Sequence, residues 1–381
     1  MTTLTDEQQM IIETAAGFTA DRLRPNAARW EEEKSLSRDV LRELGELGFG
    51  GIYARDDIGG SALSRLDAVL IFEQLSMGCV SHATFLSIHN MVTWMVDSFA
   101  GEELRKTFGP RMTSCELIGS YCLTEPGSGS DAASLKTTAR RDGDSYVLNG
   151  SKVFISGAGF SDVYVVMART GDEGPKGISC FLVEAGTPGL SFGKNEKKMG
   201  WAAQPTRMVM FDDCRIPAEN RLGQEGEGFT FAMKGLDGGR LNIAAASLGG
   251  GQEALDRALA YGQDRVQFGT RITDFQATQF KLADMATDLE AARQLLYSAA
   301  QKLDAGDPGA SSACAMAKRF VTDVGSRVAN DALQIHGGYG YLAEYEVERI
   351  VRDLRVHQIL EGTNEVMRVI VSRKLLSDNR R

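Results

Sequence analysis

Glu361 is a candidate general base because of the residues around it. It lies in the segment HQILEGTNEVMR (residues 357–368), at the end of a predicted helix, and Gly362 loosens the turn that follows. The apolar neighbours that would exclude water from its carboxyl group are Ile359, Leu360, Val366 and Met367. Desolvation raises the pKa of a carboxyl group and makes it a stronger base. Most glutamates are solvated surface groups, so this segment alone leaves that alternative open.

The segment YCLTEPGSGSD (residues 121–131) joins a β-type run to a polar loop of small residues. Its proline and glycines keep the loop out of regular secondary structure, which leaves backbone N–H groups free. The hydroxyl groups beside them belong to Thr124, Ser128 and Ser130. Such donors suit a flavin ring and its phosphates. An ordinary strand followed by a Gly/Ser turn is the alternative, and this segment alone does not decide between the two.

Three further segments carry weaker signals. In QIHGGYGY (residues 334–341), paired glycines end a predicted helix and leave N–H donors near its end, although many helices end in this way. In DRVQFG (residues 264–269), Arg265 is a candidate phosphate ligand and Gly269 a candidate helix cap, with a solvated arginine as the alternative. In DGGR (residues 237–240), Gly238 and Gly239 would let a ligand approach the backbone closely.

Helices are predicted in the first third of the chain. Apolar residues recur at intervals of three and four in residues 36–47, and similar stripes continue through Phe72 and Trp94. Thr5 and Gln8 have the spacing of a capping box that would begin the first helix. The glycine-rich residues 56–61 and Gly101 are predicted to separate the helices.

Strands are predicted in the middle third, where the apolar period changes to two near Glu116. Asp142-Gly143 and Asn149-Gly150 each provide the positive-φ residues of a tight hairpin. Further strands are expected at residues 163–168, 177–183 and 206–211, before Pro217 begins the link back to helix. These features predict an antiparallel β domain.

Helical periodicity returns after Gly226. Seven apolar residues advance by steps of three and four: Leu282, Met285, Leu289, Ala292, Leu296, Ala299 and Leu303. Such a seam is typical of helix packing inside one four-helix bundle or between subunits of an oligomer, and both remain open. The predicted fold is α+β and mostly α, with an N-terminal helical domain (residues 1–115), a middle β domain (116–225) and a C-terminal helical-bundle domain (226–381). The glycine-rich loop of the β domain would face a helical layer, and a cleft there could hold a cofactor.

Composition and charge argue against several classes of protein. A formal charge of -9, without a Lys/Arg run, does not favour nucleic-acid binding. The six cysteines form no C-x-x-C pair, and we expect reduced core cysteines, packed His82 and His89, and no metal site. No apolar run reaches the roughly 18 residues of a membrane span, and we predict a protein with no membrane partner. A cytoplasmic location is expected, or the mitochondrial matrix if a transit peptide has been removed.

In this order and at these separations, the five segments resemble the acyl-CoA dehydrogenase family over essentially the whole chain. Residues 121–131 are similar to the family's flavin loop, and residues 334–353 are similar to its second signature. The resemblance implies that FAD is the cofactor. By this similarity, its isoalloxazine and pyrophosphate would be held by Tyr121, Cys122, Leu123, Thr124, Gly129, Ser130, Phe154, Ile155 and Ser156. Many members have Trp and Thr where this chain has Phe154 and Ser156, and the smaller pair still offers an aromatic face and a hydroxyl group.

The resemblance also brings distant segments into the binding sites. The residues that would reach the adenine-dinucleotide part of FAD, bound mainly to a neighbouring subunit, are Arg265, Phe268, Gln334, Gly337 and Gly338. The cofactor site would be completed by Thr363, Asn364 and Glu365. The path of the CoA thioester would be lined by Ser130, Asp237, Arg240 and Gly362. Oligomerisation would then be required for cofactor binding, as a homotetramer built as a dimer of dimers.

Within the family, phrases such as NGSKVFISGAG, GPKGISC and HQILEGTNEVMR are most similar to the branch that acts on short branched acyl-CoA. The implied reaction converts isobutyryl-CoA to methacrylyl-CoA, a step of valine catabolism, with electrons passed to electron-transferring flavoprotein. Some branches carry their base just before the arginine of the DGGR-like segment, where this chain has Gly239, so Glu361 is the matching base. The alternatives are another short-chain or 2-methyl-branched substrate, dioxygen as the acceptor, and a non-catalytic flavin-binding relative.

Overall fold

The computed structural model describes residues 4–378, so the outermost residues of the two predicted terminal domains lie outside it. Helices make up the first region, as predicted. They are α1 (Asp6–Phe18), α2 (Ala27–Glu33), α3 (Arg38–Glu46), α4 (Arg65–Gly78), α5 (Val80–Phe99) and α6 (Glu102–Thr113). Thr5 and Gln8 form the predicted capping box, in which each side chain accepts a hydrogen bond from the backbone N–H of the other.

Helices α4 and α5 are buried around most of their circumference rather than along one stripe, which is typical of helices covered on all sides. His82 and His89 are fully buried on α5, as expected for packing residues. His82 Nε2 accepts from the backbone N–H of Ser37, and His89 Nδ1 accepts from that of Gly119. Burial lowers the pKa of His82 to about 3 and that of His89 to about 4, so both are neutral at physiological pH.

The strands of the middle region are β1 (Gly119–Cys122), β2 (Thr138–Asp142), β3 (Ser145–Ser156), β4 (Val163–Arg169), β5 (Ile178–Glu184), β6 (Leu190–Phe192), β7 (Thr206–Pro217) and β8 (Arg221–Leu222). They form one eight-stranded sheet in the order β6-β7-β3-β2-β4-β5-β8, with β1 beside β4. Most pairs are antiparallel. The sheet is nevertheless mixed, because β1 runs parallel to β4 and one residue pair joins β2 to β4 in parallel.

One predicted hairpin is present and the other is wrong. The turn at Asp142-Gly143 joins β2 to β3. Gly150 instead lies inside β3, where the register against β7 shifts between Leu148 and Gly150. A glycine with φ +142° serves a β-bulge as well as a turn, and an added Cβ would lie 2.6 Å from Oγ1 of Thr137. The dipeptide therefore bends a strand instead of ending it.

Strand β4 lies at the centre of the sheet and is buried on both faces. Val163, Val165 and Met167 pack against α5 and the start of the last helical region. The alternate residues Tyr164 and Val166 face the core formed with β3 and β7. This alternation follows from the two-residue period of a strand, and it fixes the sheet against the helices.

The last region consists mainly of long helices: α7 (Gly228–Asp264), α8 (Gln276–Asp304), α9 (Ala310–His336), α10 (Val347–Arg355) and α11 (Asn364–Asp378). The predicted seam of α8 is confirmed, with Met285, Leu289 and Leu296 buried. Gly269 does not cap α7, which ends at Asp264; it lies in the tight turn between β9 (Val266–Gln267) and β10 (Thr270–Arg271). The paired glycines of residues 337–338 do end α9, as predicted.

The regions follow one another as the sequence predicts, with the first strand beginning at Gly119 and α7 at Gly228. The domain boundaries after residues 115 and 225 stay predictions. Within residues 4–378, no helix combines the length and the apolar character that a bilayer crossing requires.

Candidate active site

Glu361 lies in a strained turn that precedes α11, here called the Glu361 turn (residues 359–363). Its φ of +52° is left-handed, and Gly362 follows with φ +89°. Two cationic side chains hold the carbonyl groups of these residues. Arg240 Nε, on α7, donates to the Glu361 carbonyl at 3.4 Å, and Lys318 Nζ, on α9, donates to the Gly362 carbonyl at 2.8 Å. A non-glycine residue at positive φ persists only where its surroundings enforce it, and such strain is concentrated at functional sites.

The carboxyl group of Glu361 packs directly on α7. A Cβ added to Gly239 would lie 2.2 Å from Oε2 of Glu361, so only glycine leaves room for the carboxyl group there. Oε2 is buried and has no hydrogen-bond partner within residues 4–378. Burial raises the pKa of Glu361 to about 7, although the charges of Lys318 and Arg240 oppose this rise. The group is therefore poised to accept a proton near neutral pH.

A second unsatisfied polar atom lies near this carboxyl group. The hydroxyl group of Tyr121, at the end of β1, is buried without a partner within the described part of the chain. Burial raises its pKa well above the ordinary value, and the charge of Glu361 adds to that rise. Buried polar atoms in native proteins are almost always paired. Two such atoms, near enough for the charge of Glu361 to act on the Tyr121 hydroxyl group, indicate a place that suits a polar ligand.

The glycines of the DGGR segment contact side chains of this chain rather than open space. Gly238 lies inside α7, where an added Cβ would be 2.4 Å from Nη1 of Arg65. The Arg65 guanidinium stacks 3.6 Å from the ring centre of Tyr53. Asp237 Oδ1 accepts from Arg240 Nη1 at 2.7 Å, so this carboxylate neutralises part of the charge near Glu361. The close approach predicted at these glycines is made by the base and an arginine.

The loop after β1 is anchored by a buried ion pair. Glu125 accepts hydrogen bonds from the backbone N–H groups of Lys136 and Thr137 and from Lys152 Nζ at 2.7 Å. Lys152 is fully buried. Sequence reasoning missed this pair, although a glutamate within a loop of small residues and a lysine within a strand were visible. The pair fixes the loop that contains Thr124, Gly129 and Ser130.

Next to this loop, Phe154 is turned outward from β3. Its φ is +58°, and its side chain is 71% exposed although it lies in a strand with buried neighbours. The pairing with β7 is irregular between Lys152 and Ile155, which rotates the ring away from the core. Ile155 is buried beneath it. An aromatic face displayed in this way costs free energy unless another flat group covers it.

The residues predicted to bind the adenine half of the cofactor lie at the other end of the last helical region. A cavity of about 350 Å³, here called the distal cavity, is lined by Tyr261, Arg265, His336, Gly337, Gly338 and Tyr339, among others. Phe268 stands beside it in the β9–β10 turn and is 96% exposed. Gln334 is exposed one turn earlier on α9. Nothing within 4 Å would meet a Cβ added to Gly337 or Gly338.

The distal cavity and the Glu361 turn are far apart in one chain. Helix α7 runs without interruption from the residues that contact Glu361 to Arg265. At 1.5 Å per residue, the stretch from Arg240 to Arg265 is about 37 Å long. The structure therefore groups Tyr121, the loop after β1 and Glu361 at one end of α7, and Arg265, Gly337 and Gly338 at the other.

Residues 363–365 serve mainly to begin α11. Asn364 is buried, with its Nδ2 donating to Thr322 Oγ1 and Asp323 Oδ1. Thr363 Oγ1 accepts from the backbone N–H of Val366, and Glu365 is exposed. The side chain of Asn364 is thus committed to α9. Cofactor contacts by these three residues stay a prediction.

Comparison with known proteins agrees with this geometry. Models of the N-terminal, middle and C-terminal domains of acyl-CoA dehydrogenases match residues 5–116, 120–214 and 226–376. The mitochondrial isobutyryl-CoA dehydrogenase of Dictyostelium discoideum is 56% identical, over 99% of this chain and 91% of the relative. That of Bos taurus is 52% identical, over 98% and 90%.

The fold also matches that of a solved structure over almost the whole chain. A chain in the structure described as an electron transferring flavoprotein of Acidaminococcus fermentans is 43% identical, with 99% of each chain covered and a TM-score of 0.96. Matched domains cover most of the sequence, in the predicted order. The predicted resemblance is therefore confirmed, and the chain belongs to the acyl-CoA dehydrogenase family.

Proposed function

We propose that this protein is an FAD-dependent dehydrogenase that introduces a double bond between the α- and β-carbons of a short branched acyl-CoA. The substrate that we favour is isobutyryl-CoA, which would become methacrylyl-CoA in valine catabolism. One observation carries the proposal. Glu361 presents a buried carboxyl oxygen without a hydrogen-bond partner, at a pKa of about 7, beside the equally unpaired hydroxyl group of Tyr121.

The residues of β3 and of the loop after β1 fit FAD. The exposed ring of Phe154 offers a flat apolar surface, and no atom within 4 Å would meet a Cβ added to Gly127 or Gly129, so the loop after β1 is open to a ligand. Thr124, Ser130 and Ser156 supply hydroxyl groups beside it. When bound, FAD would accept the hydrogen of the β-carbon together with its electron pair.

The other half of the chemistry belongs to the chain itself. An Oε atom of Glu361 takes the proton of the α-carbon, whose electrons form the new double bond as the β-hydrogen departs. Gly239 leaves the space in which the carboxyl group stands, and Arg240 and Lys318 hold the backbone of the Glu361 turn. The thioester oxygen gains negative charge as the proton leaves, and the backbone N–H of Glu361 is its predicted donor.

The choice of a branched substrate rests on similarity to two relatives. Both mitochondrial isobutyryl-CoA dehydrogenases match almost the full length of this chain. Electron-transferring flavoprotein is the proposed acceptor, in agreement with the description of the solved structure at 43% identity. Butyryl-CoA and 2-methylbutyryl-CoA are the competing substrates, and dioxygen is the competing acceptor. The predicted location, cytoplasm or mitochondrial matrix, is retained.

The proposed homotetramer rests on the family resemblance, and the distance between the two parts of the predicted FAD site supports a cofactor shared between subunits. An FAD molecule beside Glu361 cannot also reach Arg265 of the same chain, because α7 separates them by about 37 Å. Yet Phe268 and the glycines at residues 337 and 338 are as open as the loop after β1. We therefore infer that each distal cavity completes the FAD site of a neighbouring subunit, in a dimer of dimers.

Replacement of the base tests the proposal. We expect Glu361→Gln to retain FAD and to lose at least about 10²-fold in turnover of isobutyryl-CoA, because the amide cannot take the proton. Steady-state turnover with electron-transferring flavoprotein is the measurement, and the visible absorption of the purified variant is the control for cofactor content. A variant that turns over at the wild-type rate would remove Glu361 from this role.

Anaerobic titration of the yellow protein with isobutyryl-, 2-methylbutyryl- and butyryl-CoA tests the substrate. The acyl-CoA that bleaches the visible absorption at the lowest concentration is the preferred one. Release of hydrogen peroxide in an aerobic assay would favour dioxygen as the acceptor. A protein that no acyl-CoA bleaches would instead be a non-catalytic flavin-binding relative.

A further inference from the structure

Lys318 is buried beside the proposed base and has an unusual set of partners. It lies in the first third of α9 and is fully buried. Its ammonium group donates to the carbonyl of Gly362 at 2.8 Å and to Oδ1 of Asn364 at 3.0 Å. Both acceptors are neutral, and they flank the start of α11. A buried ammonium group without a carboxylate partner at hydrogen-bond distance is costly.

A neutral donor could satisfy the same two oxygens at a lower cost of desolvation. Hydrogen bonding alone therefore does not explain why a charged residue is buried here. The carboxyl group of Glu361 lies close enough for its charge to raise the pKa of Lys318. The effect is mutual, because the charge of Lys318 opposes the rise in the pKa of Glu361 more strongly than that of Arg240 does.

We propose that Lys318 is the positioning residue of Glu361: it fixes the left-handed backbone of the Glu361 turn through the Gly362 carbonyl, and its charge favours the ionised carboxylate that abstracts the proton. The inference rests on the proposed function, since it assigns a partner to the proposed base. Lys318 does not touch the reacting carbons in this arrangement. It acts through Glu361 alone.

Other charged and titratable groups also face this pair. The helices contribute Arg240 on α7, which is paired with Asp237, Asp323 on α9 and Glu365 on α11. The other groups are Tyr121 on β1, His357 between α10 and α11, and Tyr53 and Arg65 in the first region. Arg240 shares its charge with Asp237 at 2.7 Å. Within residues 4–378, Lys318 has no carboxylate at hydrogen-bond distance, so its charge acts on Glu361 with less screening.

The pH dependence separates this role from simple structural support. Burial lowers the pKa of Lys318 to about 8, so the ammonium form prevails at pH 7. Lys318→Met removes both the donor and the charge, and Lys318→Gln keeps a donor without the charge. In both variants we expect the acid limb of the kcat/KM profile to move upward by about one pH unit, with a roughly five-fold loss at pH 7 and a roughly ten-fold loss at pH 5 to 6. Lys318→Arg should keep the wild-type limb.

The matched control is Lys198→Met. Lys198 is also largely buried, donates to neutral oxygens of Gln204 and Thr206, and has its pKa lowered by burial to about 8. Its loss should lower stability without moving the acid limb. A second readout that does not depend on turnover is the carboxyl infrared band that disappears in Glu361→Gln. Its titration midpoint should rise in Lys318→Met as the acid limb does.

The outcomes decide between the two proposals. A Lys318→Met or Lys318→Gln protein whose acid limb and infrared midpoint both equal those of the wild type would overturn the role of Lys318, provided that Glu361→Gln is inactive. Full activity of Glu361→Gln would instead refute the proposed function. If the uncharged variants do not fold, Lys318→Arg decides, because an upward shift despite a retained charge contradicts the inference and an unmoved limb supports it.

Discussion

The Glu361 turn and the distal cavity are built in opposite ways. Around Glu361, the backbone is strained, the neighbouring side chains are buried, and two cations hold successive carbonyl groups. Around the distal cavity, the glycines face open space and Phe268 is almost fully exposed. The first region is organised within one chain, whereas the second has the open surfaces that we propose a neighbouring subunit's cofactor covers. Under the proposed function, the difference teaches that the chemistry depends on contacts within one chain and the cofactor affinity on contacts between subunits.

A methyl group added beside the base would break the organised region. We expect Gly239→Ala to lose about 10²-fold in turnover, because the Cβ would lie 2.2 Å from Glu361 Oε2 and must displace the carboxyl group. The control is Gly235→Ala, one turn earlier on α7, whose Cβ would meet Met91 at an ordinary 3.5 Å. It should keep the wild-type turnover and gain the roughly 1 kcal/mol by which alanine exceeds glycine in a helix. Equal turnover of the two variants would show that the contact at Gly239 is not limiting.

The pH dependence of stability sharpens the contrast, because it reports the buried carboxyl group without any substrate. With a pKa raised from 4.5 to about 7, folded Glu361 binds a proton between these pH values while the unfolded chain releases it. The contribution to stability is thus present below pH 4.5 and falls as the pH rises to 7, by about 3 kcal/mol in total. The side chain of Glu361→Gln cannot titrate. We therefore expect its free energy of unfolding to rise relative to that of the wild type by this amount between pH 4.5 and 7. Urea unfolding at several pH values measures it, and parallel curves would contradict a buried, desolvated carboxyl group.

The same titration predicts the activity profile. Below pH 7, the protonated fraction of Glu361 grows and cannot serve as the base. We therefore expect kcat/KM to fall approximately ten-fold for each pH unit below about pH 7.

The smallest effect is expected at the distal cavity. Phe268→Ala should leave the folding of a single subunit unchanged, because the ring is 96% exposed, but should weaken FAD binding by roughly ten-fold through lost aromatic burial against a partner. Equilibrium dialysis of FAD and size-exclusion chromatography are the measurements. Met10→Ala, which removes another exposed apolar side chain on α1, is the control. Identical FAD affinity in the two variants would argue against a distal cavity shared between subunits.

The order of helical and β regions was predictable because apolar periodicity reports local geometry. The steps of three and four through Leu282 and Leu296 predicted α8, and the β-type run at residues 163–168 predicted β4. Where one local signal suits two structures, the prediction was wrong. Asn149-Gly150 suits a hairpin or a bulge, and only pairing with β7 selects the bulge. The parallel pairing of β1 with β4 likewise depends on strands that are distant in sequence.

The candidate base could be found from the sequence, because a glutamate among apolar residues followed by glycine is a local feature. What makes Glu361 a plausible base was not visible there. The contact with Gly239, more than a hundred residues earlier, and the donors Lys318 and Arg240 come from separate helices. Lys318 was missed because a single lysine in an amphipathic stretch is usually a surface residue.

The sequence by itself determined the family, the succession of helices and strands, and the identity of the carboxyl group, since these depend on residue types and on short spacings along the chain. The tertiary structure alone decided the surroundings of that group: which glycine makes room for it, which cations hold its backbone, and how far it stands from the distal cavity. Burial and electrostatic interactions depend on distances between atoms that the chain brings together only on folding, and no local pattern encodes them.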